Sequence, residues 1–137
     1  MEETLESMQA KRKSLYQKME ELGDFRRGII SVNLRKCGRK NCACAKPGHL
    51  GHGPQYLWNT TVKGKSYAKS VRLGSELQKY MQETGRYREF LRLCEELVQL
   101  NERISDLRPV VEIGDKNERE ALKKKLQEIF RKRLKKR

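Results

Sequence analysis

The stretch from Phe25 to Gly74 contains neither aspartate nor glutamate. That gap removes the carboxylate that a catalytic zinc site usually uses as acid or base, and with it the His-x-Glu pattern of the zinc deaminases. Nowhere do about 18 apolar residues follow one another, so no segment is expected to cross a membrane. The opening Met1-Glu-Glu-Thr lacks the basic start and apolar core of a signal peptide, which makes a cytoplasmic location the expectation. There is no G-x-x-x-x-G-K phosphate loop, and the only two histidines lie beside the cysteines. Too little is left from which to assemble nucleophile, base and oxyanion donors, so the chain does not read as an enzyme. Apolar residues make up 36% of the 137 and charged residues another 36%, too polar a mixture for a thick core. Extended helices or self-association are the expected remedy.

What is present is segregated. Met1 to Asp24 carries a net charge of −2, Phe25 to Gly74 +11, Ser75 to Asp115 −3 and Lys116 to Arg137 +8, for a total of +14. A positive balance can serve solubility alone. Its concentration in two blocks, one of them without acids, points instead to a polyanion.

Inside the acid-free block, Cys37, Cys42, Cys44, His49 and His52 fall within sixteen positions. In a reducing compartment such packing favours metal over disulfides. Three thiolates and one imidazole suit a closed tetrahedral zinc ion, with bonds of about 2.0 to 2.3 Å. Buried free cysteines, an iron–sulfur cluster or a redox pair are the competing readings. Cys42 and Cys44 present two thiols from a tight turn, and Gly48, Gly51 and Gly53 let the chain fold back to offer an imidazole. Either histidine can be the fourth ligand. His52 is preferred, because His52-Gly-Pro54 sits where a strand begins, with His49 as the alternative. Such an ion would be structural. Cys94 lies among apolar residues at helical spacing and is assigned to packing.

The fold class expected is α+β, in the order N-terminal helix, small antiparallel β-sheet or hairpin with a zinc-binding loop, long amphipathic helix and C-terminal basic helix. The segments divide at residues 1–24, 25–74, 75–108 and 109–137. Leu5, Met8, Leu15, Met19 and Leu22, with Arg12 in the seam, mark a helix from Glu2 to Leu22, stopped by Gly23-Asp24. Ile29 to Leu34 reads as a strand, and Gln55 to Val62 with Ser66 to Leu73 as a hairpin about Lys63-Gly64-Lys65. Ser75 and Gln78 suggest a capping box. The helix that follows carries an apolar stripe through Leu77, Tyr80, Met81, Tyr87, Phe90, Leu91, Cys94, Leu97, Val98, Ile104 and Leu107, with Gly85 as the place for a bend and Pro109 as its end. Asp115 and Glu118 offer a cap for the last helix, striped by Leu122, Leu126, Ile129, Phe130 and Leu134.

The run Arg35-Lys-Cys-Gly-Arg-Lys-Asn-Cys-Ala-Cys44, then Gly51-His-Gly-Pro54, then Tyr56 and Trp58 before a Lys-Gly-Lys turn and a long Tyr- and Leu-rich helix, resembles a family of small prokaryotic proteins catalogued as a domain of unknown function. Members are often encoded near transposases and other mobile elements. The resemblance spans about residues 28–105 and implies Cys37, Cys42, Cys44 and His52 as its matching positions. It names no activity and does not extend to the basic tail beyond Pro109.

Phosphate binding by lysine and arginine depends on charge density. The first basic block supplies Arg26, Arg27, Arg35, Lys36, Arg39, Lys40, Lys46, Lys63, Lys65, Lys69 and Arg72. Tyr56, Trp58 and Tyr67 are candidates for stacking on bases, although Trp58 is the more natural residue to pack on the long helix. The tail adds Lys123, Lys124, Lys125, Arg131, Lys132 and Arg133, followed by Lys135-Lys-Arg137, on a helix whose other face is apolar. Such a helix can meet nucleic acid, an acidic partner or a lipid surface, and its few aromatic anchors count against lipid. The expectation is a zinc-stabilised protein that binds DNA or RNA as an accessory to a larger protein or ribonucleoprotein, with a homodimer possible and no membrane contact. A coiled-coil adaptor that docks on protein is the alternative.

Overall fold

The computed structural model describes residues 3–136. Three helices and a three-stranded antiparallel sheet follow one another as α1 (Leu5–Glu21), β1 (Ile29–Arg35), β2 (His52–Val62), β3 (Lys65–Val71), α2 (Ser75–Leu107) and α3 (Lys116–Lys135). This is the α+β class the sequence predicts. The strands lie in the order β1-β2-β3. The chain forms two compact units, one ending at Ile104 and one beginning at Ser105.

Helix α1 starts at Leu5 because Thr4 caps it. The Thr4 hydroxyl accepts the Ser7 N–H at 3.1 Å, and the Ser7 hydroxyl accepts the Thr4 N–H at 3.1 Å. This reciprocal arrangement satisfies two amides that would otherwise have no partner. The predicted start at Glu2 lies outside the described residues. Met8 and Leu15 bury against Leu93, Leu100 and Ile104 of α2, with Leu97 partly covered. In the same seam Arg12 donates to the Asn101 side-chain oxygen at 3.0 Å.

The first half of α2 faces the sheet. Val71, Leu77 and Tyr80 form a second buried cluster, with Ile30, Tyr56 and Trp58 packed against it. Helix α2 therefore carries two separate apolar faces. Thirteen residues at about 100° each place Leu93 roughly 140° around the axis from Tyr80. Leu93 and Leu100, absent from the predicted stripe, are buried, whereas Met81, Leu91, Val98 and Leu107 of that stripe are about half exposed. The helix runs through Gly85 without a break, and Ser75 is its first residue rather than its cap.

Residues between α1 and β1 are stitched along α2. The Arg26 N–H donates to the Glu83 carbonyl at 3.2 Å, and Phe25 stacks on Phe90 with centroids 4.9 Å apart. The Arg26 guanidinium lies 3.8 Å from the Tyr80 ring centroid and donates to the Glu83 carboxylate at 3.0 Å. Lys79 reaches the other carboxylate oxygen at 2.8 Å. The Glu83 carboxyl is held below its ordinary range first by the Lys79 hydrogen bond and then by Arg26, which together outweigh burial. Removing this carboxylate in Glu83→Ala leaves Arg26 pressed on an aromatic ring without its anion, and a loss of about 2 kcal/mol is expected in denaturant unfolding. A depressed carboxyl contributes stability above its unfolded value of 4.5 and loses it as the pH falls through the lower folded value. The variant should accordingly show a flatter stability profile on the acid side.

Side chains alternate between the two faces of the sheet. Register pairs Ile30 with Trp58, Val32 with Tyr56, Trp58 with Lys69 and Tyr56 with Val71, all on the side that meets α2. The other side carries Ser31, Asn33, Gln55, Leu57, Asn59, Thr61, Ser66, Ala68 and Ser70, with Ile29 at its margin. No charged side chain stands on it between Ile29 and Asn33, Gln55 and Thr61, or Ser66 and Ser70. The hairpin closes through Lys63 and Gly64, at φ 52° and 79°, so Lys65 already belongs to β3. Two successive positive φ values match the right-handed twist of the strands.

Helix α3 is capped by Asp115, whose carboxylate accepts the Asn117 N–H at 2.9 Å. None of its described residues is buried, and Leu122, Leu126, Ile129, Phe130 and Leu134 are all exposed.

Candidate metal centre

The loop between β1 and β2 folds back on itself so that its ends meet. Arg35, the last residue of β1, pairs with His52, the first of β2, after a register shift beyond Asn33. This pairing fixes the position of the imidazole. Between them a short 3-10 turn, Ala43–Ala45, carries Cys44 into the interior and leaves Cys42 at its entry. The backbone N–H of Ala45 donates to the Cys42 carbonyl at 3.0 Å, and that of Lys46 to the Ala43 carbonyl at 3.2 Å, so the turn is internally bonded.

Four ligand atoms converge there. Those of Cys37, Cys42, Cys44 and His52 all lie within 4.8 Å of one another. The Cys37 and Cys44 sulfurs are 3.5 Å apart, and the Cys42 sulfur is 3.1 Å from His52 Nε2. Sulfurs around a tetrahedral ion with bonds of about 2.3 Å stand roughly 3.8 Å apart, so the cluster already has the dimensions of a coordination shell. These four residues can hold a metal ion. His49 is not among them: its Nδ1 accepts the Gly51 N–H at 2.9 Å, which ties down the return of the loop. The structure thus brings together the preferred set and gives the alternative histidine a supporting contact.

Electrostatics favour the metal-binding form. A hydrogen bond from the Arg39 backbone, followed by contacts with His52 and Cys44, lowers the Cys37 thiol to about 6. Such a thiol is mostly thiolate at neutral pH, the form that ligates metal. The Cys37 N–H, 3.4 Å from the Cys44 sulfur, pulls the Cys44 thiol down, but burial and the neighbouring thiols together push it up. Cys94 stands apart, half-buried on α2.

Around this centre the basic residues fall into two groups. Arg27, Arg35, Lys36, Arg39, Lys40, Lys46, Lys63 and Lys65 are exposed, and among the described residues none of them forms an ion pair. The other three of that block are engaged internally. Arg26 is turned onto Tyr80 and Glu83, Lys69 donates to the Tyr80 hydroxyl at 2.8 Å, and Arg72 pairs with Glu76 at 3.0 Å. Arg26 therefore acts as a structural cation, and its partner, 57 residues along the chain, leaves no local signal in the sequence. Tyr56 and Trp58 pack on α2 and are not free to stack on a ligand, while Tyr67 remains exposed. On α3, Lys123, Lys124, Arg131 and Arg133 form no ion pair among the described residues, whereas Lys132 lies 3.6 Å from Glu128. Arg137 lies outside the described residues.

Fold and site together define a small α+β protein in which a Cys3His cluster closes the loop of a three-stranded sheet. The chain belongs to the family described as Domain of unknown function (DUF6788), whose model matches residues 5–83, more than half of its length. That match begins in α1, earlier than the expected 28–105, ends at residue 83 in the first half of α2, short of the expected 105, and includes the whole sheet and the cluster. No curated protein and no solved structure matches the chain. No helix among the described residues is long and apolar enough to cross a membrane.

Proposed function

We propose that this chain is a zinc-stabilised nucleic-acid-binding protein, acting as an accessory to a larger protein or ribonucleoprotein. The observation that carries the reading is the set of eight exposed cations from Arg27 to Lys65, none in an ion pair among the described residues, on an acid-free segment whose loop is closed by the Cys3His cluster. Three thiolates and an imidazole are the donor set of structural zinc, and they leave no open position for a substrate. The ion's part is to hold the loop in one shape, so that Arg35, Lys36, Arg39 and Lys40 are presented together. The link to mobile elements follows from the resemblance of the cysteine motif and its flanks.

Binding of this kind releases counterions, so affinity for any nucleic acid should fall steeply with salt. Neutralising Lys63 and Lys65 as Lys63→Gln/Lys65→Gln is expected to weaken binding about tenfold and to lower the salt slope by about 2, with circular dichroism unchanged. Fluorescence anisotropy across a salt series measures both quantities. A second reading is an adaptor that docks on protein through helices. It is favoured by Leu91 and Val98 of α2 and by the apolar stripe of α3, all exposed. The adaptor predicts little change in the same variant.

A further inference from the structure

We infer that the open face of the sheet enters the major groove of double-stranded DNA. The inference rests on the nucleic-acid reading above and names the partner and the surface.

Single strands are held largely by aromatic side chains on which bases stack. Here, of the aromatics on the α2 side of the sheet, Tyr56 and Trp58 are packed against the helix, Trp58 further spends its indole N–H on the Arg27 carbonyl at 2.8 Å, and Tyr67 alone among the three is exposed, too few for a stacking platform. What remains open is a face without charge, set with polar side chains in register, of which Asn59 donates to the Ser31 hydroxyl at 2.7 Å and the Thr61 and Ser66 hydroxyls meet at 3.5 Å. Asn33 stands beside Gln55, Ser31 and Ser70 flank Leu57, and Thr61 stands beside Ser66. Asn33 and Gln55 are exposed and make no side-chain hydrogen bond among the described residues. Amides of this type read adenine through N6 and N7, and hydroxyls serve any base edge or phosphate.

Dimensions select the groove. Three strands spaced about 4.8 Å apart are roughly 10 Å across between outer strand axes. The major groove of B-form DNA is about 12 Å wide. In A-form RNA the corresponding groove is too deep and narrow for side chains to read. Charge lies at the two ends of the strands, to either side of the uncharged centre along the groove: Lys63 at the hairpin turn, and Arg35 and Lys36 at the opposite end of the sheet. An uncharged centre between basic ends is the pattern expected of base-edge contact flanked by phosphate contact.

The test uses the full-length, zinc-loaded chain and three labelled probes of equal length and sequence: a DNA duplex, an RNA duplex and single-stranded DNA. Anisotropy is expected to show the DNA duplex bound at least about tenfold more tightly than the other two. Ser70→Glu and Asn33→Glu each place an anion on the open face, and each should weaken duplex binding about tenfold or more at unchanged zinc content and circular dichroism. The uncharged double variant Asn33→Ala/Gln55→Ala should also lose affinity and guards against misfolding of the glutamate variants. Equal or tighter binding of the RNA duplex or the single strand, or full affinity in all three variants, would overturn the groove assignment and leave the broader reading standing. Failure to bind any of the three probes would remove both.

Discussion

Exchange of Cys44 for serine is expected to take zinc content from about one ion per chain to almost none, while the pairing of α1 with α2 survives. Cys44 is the buried member of the cluster, with its sulfur 3.5 Å from that of Cys37 and within reach of the Cys37 N–H. A serine hydroxyl is neutral, hard and too short to replace a thiolate. Structural zinc in small domains binds with about 10 to 16 kcal/mol in all, so one of four ligands accounts for roughly 3 kcal/mol or more, a fall of at least about a hundredfold in affinity. The cluster of Met8, Leu15, Leu93, Leu100 and Ile104 contains no residue of the loop, so helical circular dichroism should change little. The companion variant His49→Ala removes only an acceptor for the Gly51 N–H and should keep its zinc. Metal analysis after dialysis, with a chromophoric chelator in competition, checks both. Zinc retained in Cys44→Ser and lost in His49→Ala would reverse the ligand assignment.

The contrast between those two positions also shows what the sequence could disclose. Ligand type and crowding already singled out Cys37, Cys42 and Cys44, because soft donors so close together have few other uses. The choice of histidine rested on His52-Gly-Pro54 standing where a strand begins, and in the structure His52 opens β2, with its pairing to Arg35 as the contact the sequence did not disclose. Strands and hairpin were legible from β-branched and aromatic alternation, with the turn one residue shorter than expected because Lys63 itself adopts a positive φ. Helix α2 was legible in extent and misjudged in facing. A single stripe was sought where the helix serves two partners on different sides, so Leu91 and Val98 were placed inside and Leu93 and Leu100 overlooked. Local periodicity reports that a helix is amphipathic but does not report how many neighbours it has. Arg26 was misjudged for a related reason. Counting cations in an acid-free block cannot show that one of them reaches 57 residues along the chain to Glu83.

The absence of acids and the presence of the cluster are complementary. A loop rich in lysine and arginine repels itself and has no carboxylates with which to form internal ion pairs, so it cannot be held by the means that steady α2, where Glu89 and Glu96 both clasp Arg92. Under the proposed zinc binding, ligation would supply the missing constraint, because thiolates bring negative charge to the one place where it does not reduce the positive surface. On this view Arg35, Lys36, Arg39 and Lys40 can remain exposed because Cys37, Cys42 and Cys44 hold their backbone.

Gly51→Ala should then damage the site from outside the ligand set. Gly51 has φ 105°, and a Cβ built there would stand 2.7 Å from the Arg35 carbonyl carbon and 2.8 Å from the Arg35 nitrogen. Both are backbone atoms of the strand that positions His52, and no side-chain rotation relieves the clash. Backbone strain of about 1 to 3 kcal/mol and overpacking of about 1 to 3 kcal/mol together suggest a penalty near 4 kcal/mol. Because the Arg35–His52 pairing must open to admit the methyl group, the expected result is a zinc affinity lower by about a hundredfold to a thousandfold, at about 1.4 kcal/mol per factor of ten. Gly48 is the control. Its φ is 83°, but nothing lies within 4 Å of a Cβ there, so Gly48→Ala carries only the conformational cost. That cost is about 1 to 2 kcal/mol, and zinc binding should weaken about tenfold at most if the strain is felt at the site. Chelator competition on the two variants separates close backbone approach from simple glycine preference. Equal losses in both would mean that the contact between Gly51 and Arg35 does not position the fourth ligand.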